Sequence, residues 1–108
     1  MCQQSVNFAA CNAGSYENGC VCVSARTNIA LKKHALQSTL HRAFYAAHAV
    51  DGKLSTFSHT TFTDSLKWLR VDLGEIMAIG KIIVWNRVGE LIIYSCMRLV
   101  GEIQLIMF

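Results

Sequence analysis

The chain has 108 residues, enough for one domain with a single core. Hydrophobic residues make up 53% and charged residues 16%, which excludes a disordered chain. A net charge of +3 is too small and too dispersed for a nucleic-acid protein, and Lys81, Arg98 and Glu102 break the apolar stretches before any reaches the about 18 residues of a membrane-inserting helix.

The opening Met1-Cys2-Gln3-Gln4 has neither the basic nor the apolar region of a signal peptide. Five cysteines follow a lopsided pattern: Cys2, Cys11, Cys20 and Cys22 crowd the first 22 residues and Cys96 stands apart. Such crowding suits disulfides formed in an oxidising compartment, and four cysteines allow three pairings. The alternatives are a zinc site or free thiols. Against zinc, the one close pair, Cys20-Val21-Cys22, has a single intervening residue, and zinc pairs have two to four. Cys11 to Cys22 is rich in turn residues, including Asn18-Gly19, and resembles the closing part of an EGF-like module. Residues 1–24 are therefore expected to be a Cys-rich appendage, an EGF-like remnant or linker, and residues 25–108 the main domain.

Beyond this boundary Thr27 to Leu31 reads as a short extended segment, and Ala43 to Val50 as a turn of helix that ends at the turn dipeptide Asp51-Gly52. Lys53 to Asp64, rich in Ser, Thr, Phe and His, reads as a surface loop. Leu69, Val71 and Leu73 alternate with polar residues, as one face of a strand does. Gly74-Glu75 is expected to turn the chain, Ile76 to Arg87 to form a buried strand, and Gly89-Glu90 to turn it again. Leu91 to Tyr94 and Ile103 to Phe108 are two further strands. Short strands separated by turns about every ten residues predict an antiparallel all-β sandwich.

None of the Gly-rich, metalloprotease or nucleophile-elbow motifs is present, and the seven acidic residues are scattered. The chain is therefore expected to bind rather than catalyse. Taken alone, His59 reads as an exposed loop histidine, Arg87 as a solvated strand end and Arg98 as an edge residue whose stem covers the core. Loops at one end of a sandwich converge, however. A histidine and two arginines brought together there would offer several donors to the vicinal hydroxyls of a neutral sugar. Phe57 or Phe62 would supply the apolar contact to the ring, or either would be core.

Five segments in order strengthen that reading: Asn28-Ile29-Ala30-Leu31, Ala35 to Thr39, Ala49-Val50-Asp51-Gly52, Lys67 to Gly74 with its Trp68-Leu69-Arg70-Val71-Asp72-Leu73-Gly74, and Ile82 to Arg87. This series resembles an F-type lectin (fucolectin-like) domain over about Thr27 to Gly101, with discoidin and coagulation factor C-type domains as relatives of the same fold. The resemblance implies a jelly-roll β-sandwich of the galactose-binding-like class. It also implies L-fucose binding through His59, Arg87 and Arg98, and calcium held at Asp51 with backbone oxygens of His48 and Lys53. The chain departs from the lectin pattern in spacing, with 27 residues between His59 and Arg87, and in having Gly89 where the family carries Asp.

Only five or six strands are read here, against about eight in a jelly roll. A sandwich truncated at its C-terminus is therefore expected, its open sheet edge marking a fragment, a degenerate member or an obligate oligomer. The functional expectation is a secreted or cell-surface lectin for fucosylated glycans or glycoproteins, calcium-assisted. The alternative is a discoidin-like extracellular adhesion module without a sugar site.

Overall fold

The computed structural model describes residues 5–16, 19–22, 28–86, 89–94 and 99–107. Within them the all-β expectation holds. Seven strands pair antiparallel throughout, and a short 3-10 helix, Ala46–Val50, is the one helical element among the described residues. In chain order the strands are β1 (Ser5–Tyr16), β2 (Gly19–Cys22), β3 (His34–Gln37), β4 (Ser58–His59), β5 (Lys67–Asn86), β6 (Gly89–Tyr94) and β7 (Leu99–Met107). This all-β, antiparallel architecture is consistent with a galactose-binding-like fold. No helix of the described residues is long and apolar enough to cross a membrane.

The twenty-residue β5 is the spine. Its first half lies between β3 and β7, and its second half between β1 and β6. Leu69, Val71 and Leu73 all point into the core, as their alternation requires. Gly74-Glu75 does not reverse the chain. Asp72 Oδ1 accepts the Gly74 N–H at 2.9 Å, Gly74 takes φ 80°, and the register against β7 slips between Asp72 and Met77. The expected turn is thus a bulge inside one strand. A second slip against β1, where Cys11 faces Lys81 but Asn12 faces Ile79, inserts one residue at Gly80. One extra residue exchanges the two faces, so the buried set moves from odd positions, ending at Ile79, to the even positions Ile82 and Val84.

Gly89-Glu90 is also strand rather than turn. Both residues belong to β6, with Gly89 opposite Asn86. Thr27 to Leu31 likewise departs from the extended form from Asn28 onward. The Asn28 side-chain oxygen accepts from Ala30 N–H at 3.0 Å and Ala10 N–H at 3.2 Å, and two successive turns follow. An Asx turn competes with extended backbone in this way.

The 24/25 division is crossed by the sheet, because β1 pairs with β5 from Asn7 to Asn12. Cys11 is buried and disulfide-bonded. Cys20 and Cys22 stand in β2, while Cys2 and Cys96 lie outside the described residues. The core joins Ala10 of β1, Ile29 and Ala30, Ala49 and Val50 of the 3-10 helix, the inward residues of β5, and Ile103 of β7. Packing the 3-10 helix on that core fixes where the loops on either side of it emerge.

Candidate functional site

Two loop systems carry the polar chemistry. The first follows the 3-10 helix. Asp51 Oδ1 accepts the Lys53 N–H at 2.9 Å, and Asp51 Oδ2 accepts the Thr56 hydroxyl at 2.6 Å. The same hydroxyl lies 3.2 Å from the Lys53 carbonyl and 3.4 Å from that of His48. A carboxylate, two carbonyls and a hydroxyl therefore converge within a few ångströms. Partial burial opposes ionisation of Asp51. The hydrogen bonds from Thr56 and the Lys53 N–H, with the charges of Lys53 and His48, outweigh it and hold the carboxyl below its ordinary 3.8.

The sequence-level metal candidates His48, Asp51 and Lys53 are thus neighbours. His48 and Lys53 turn backbone oxygens, not side chains, toward Thr56. No three His, Cys, Asp or Glu side chains gather as a metal site among the described residues. The donor set is entirely oxygen, which fits a hard cation such as calcium and not zinc. Four oxygens fall short of the six to eight that calcium takes, so water or other groups would complete the shell. Thr56 was missed from sequence. The signal for it was a hydroxyl residue five positions after the turn aspartate.

The second system joins the segment after β3 to β4 and the loop beyond it. Asp64 Oδ2 accepts from Ser38 Oγ and, at 2.8 Å, from Thr39 Oγ1, and Asp64 Oδ1 accepts the Leu66 N–H at 3.1 Å. The Ser38 bond, against some loss of hydration, holds the Asp64 carboxyl below 3.8, helped by Thr39, the Leu66 N–H and the Lys67 charge. Ser38 Oγ also receives the Trp68 N–H at 3.1 Å, which ties this loop to the start of β5.

His59 is not an exposed loop histidine. It stands in β4 opposite Ser5 and is only 4% exposed. Its N–H donates to Phe44 O at 3.1 Å, and its carbonyl accepts from His41 N–H at 3.0 Å and Gln37 Nε2 at 2.9 Å. Its ring Nδ1 contacts Thr60 O. Ser58 and Thr60 are buried with it, so the middle of the expected surface loop is interior. Here a polar Ser-His-Thr run is buried because its backbone is paired, a condition composition does not report.

Around His59 the rings form one cluster. His41 lies over it at 4.5 Å, and Phe62 meets His59 edge-on at 5.3 Å and His41 at 5.1 Å. Phe57 stacks on Phe44 at 4.7 Å. Of the two phenylalanines weighed for a sugar contact, Phe62 is the exposed one, at 66%, while Phe57 is partly buried. Arg87 and Arg98 lie outside the described residues.

Residues 48–99 match the F5/F8 type C family described as the NedA-like, galactose-binding domain. The matched span takes in the Asp51 loop, β4 with His59, Phe62, all of β5 and β6. That segment is similar to a galactose-binding-like module, a class that covers carbohydrate-binding and discoidin-like domains. Neither the curated proteins nor the solved structures give a match to the chain.

Proposed function

We propose that this chain is a carbohydrate-binding module whose sugar site lies on the face carrying Phe62. The observation that carries this reading is the similarity of residues 48–99 to a galactose-binding domain, because that span contains the Asp51 loop, β4 with His59, and Phe62. Phe62 supports it. A largely exposed ring, held edge-on by two imidazoles, presents an apolar face of the kind on which a hexose stacks.

The lectin resemblance points to L-fucose, with Arg87 and Arg98 as the further donors it implies. Calcium, when bound, would be held by the Asp51 carboxylate, the Thr56 hydroxyl and the carbonyls of His48 and Lys53, and would stiffen the loop. The Cys-rich N-terminal segment fits a secreted or cell-surface setting.

The test is calorimetric titration of the oxidised protein with L-fucose, D-galactose and D-glucose, in calcium and then in EDTA. The expected result is saturable binding of fucose or galactose, weakened by chelation. Phe62→Ala is expected to weaken binding at least tenfold and to shift the melting temperature by less than about 3 °C, since a mostly exposed side chain contributes little to stability. A folded protein that binds none of the three sugars in calcium refutes the proposal.

A further inference from the structure

The His41–His59 pair does more than hold Phe62. The main-chain bonds His41 N–H to His59 O and His59 N–H to Phe44 O close the segment after β3 onto β4. The two imidazoles stack inside that closure at 4.5 Å, tilted by 35°. Phe44 and Phe62 bound them. As neutral rings they place no charge on one another. Protonating them places like charges a ring's width apart, one of them on a side chain only 4% exposed. Imidazole is also the one side chain whose ordinary titration range falls between pH 5 and 8.

The closure carries a second strain. Gln37 Oε1 and Thr60 Oγ1 are buried without a hydrogen-bond partner, and both residues adjoin His59. Buried polar atoms left unpaired favour any opening that admits water. Opening would hydrate these two oxygens and the imidazoles together. Among the described residues, the charged and titratable groups on the surrounding elements are Arg42 on the His41 segment, His48 and its neighbour Tyr45 at the 3-10 helix packed against β4, and Asp64 and Lys67 on the loop beyond β4 and the start of β5. The Asp64 carboxylate is engaged by Ser38, Thr39 and the Leu66 N–H, and Lys67 Nζ by the Asp64 carbonyl at 2.6 Å.

We propose that the His41–His59 stack is an acid-opened latch on the segment that presents Phe62. A charged His59, only 4% exposed in the closed form, is better hydrated in the open one, so closure weakens as the medium becomes acidic. If Phe62 is the sugar platform proposed above, the module releases its ligand in mildly acidic surroundings. The latch itself is tested without ligand, so its failure and failure of the sugar reading remain separate results.

The experiment is amide hydrogen exchange by NMR on the oxidised chain at pH 7.5 and 5.5, each corrected for the intrinsic exchange rate. Protection of the His41 and His59 amides is expected to fall at least tenfold at the lower pH. The Ile29 amide, bonded to Ala10 O at 2.9 Å in the core, is expected to hold its protection. In H41F/H59F the rings stack without a titratable group, and protection at both positions is expected to stay level. If Ile29 protection reports that the double variant is unfolded, H41F alone decides: it removes one of the two charges and must show a smaller fall than the parent. Level protection in the parent, or an equal fall in the variant, overturns the proposal.

Discussion

Gly52 and Gly74 share a left-handed backbone, both at φ 80°, but not the same surroundings. A Cβ on Gly74 meets nothing within 4 Å, whereas a Cβ on Gly52 falls 2.8 Å from Leu31 Cδ1. Replacing each with Ala therefore separates a backbone cost from a packing cost. The left-handed conformation costs an L-residue roughly 1–2 kcal/mol. Alanine returns about 0.4–1 kcal/mol by restricting the unfolded chain. Gly74→Ala should thus lose about 1 kcal/mol. Gly52→Ala should lose that and more, because Leu31 must swing off the loop. Leu31 is 45% exposed, so about half of the roughly 2 kcal/mol for burying a leucine is at stake. The sum is about 2 kcal/mol, or about 8–16 °C in melting temperature at the usual conversion for a domain near this size. Thermal and urea unfolding of the oxidised protein would measure it. In a Leu31→Ala background the two glycine variants should cost the same. A Gly74→Ala loss as large as that of Gly52→Ala, or a Gly52→Ala loss that ignores the Leu31 background, would refute the reasoning.

Two further outcomes follow from the packing and the charges. Asp51 and Asp64 both titrate below 3.8 in the folded chain, so they stabilise it above their ordinary unfolded values and cease to do so as pH falls through the lowered ones. Asp64→Asn should accordingly flatten the loss of stability below about pH 4 in an acid titration followed by circular dichroism, and an unchanged acid limb would contradict the Ser38 and Thr39 bonds. Leu69 is fully buried at the centre of the core, and Leu69→Ala should cost about 3–4 kcal/mol in urea unfolding, whereas a cost under about 1 kcal/mol would mean the site collapses freely.

Much of the fold was legible because it rests on periodicity. The odd-numbered apolar residues of β5 declared a strand with one buried face, and Asp51-Gly52 declared a turn that needs a positive φ. The failures have one physical character. Gly74 carries the left-handed conformation that a turn would use, but Asp72 and the neighbouring strands absorb it as a bulge. His59 looked exposed because its neighbours are Ser and Thr, yet its burial is decided by Phe44, His41 and Gln37, all at least fifteen residues away. Likewise Phe57 and Phe62 could not be told apart by sequence. Only the stack of Phe57 on Phe44, against the edge-on placement of Phe62, separates the partly buried ring from the exposed one.

The same distinction divides the site into two kinds of structure. The oxygen cluster at Asp51 is closed by bonds between residues two to eight apart: Lys53 N–H to Asp51, and Thr56 to Asp51, Lys53 and His48. Its geometry is set mainly by the local chain, with the 3-10 helix anchored on the core through Ala49 and Val50. The Phe62 side is closed over much longer separations, by Gln37 to His59, Thr61 to Thr39 and Trp68 to Ser38, at 22, 22 and 30 residues. Bringing such distant segments together costs more chain entropy than closing a turn, and the cost is met only while the sheet beneath them is intact. Perturbing the first half of β5 should therefore loosen the Phe62 face before it disturbs the Asp51 loop. The Phe62 face, which depends on long-range closure, is the part that the proposed His41–His59 latch would release, and an oxygen cluster built from local bonds can keep its shape while that happens.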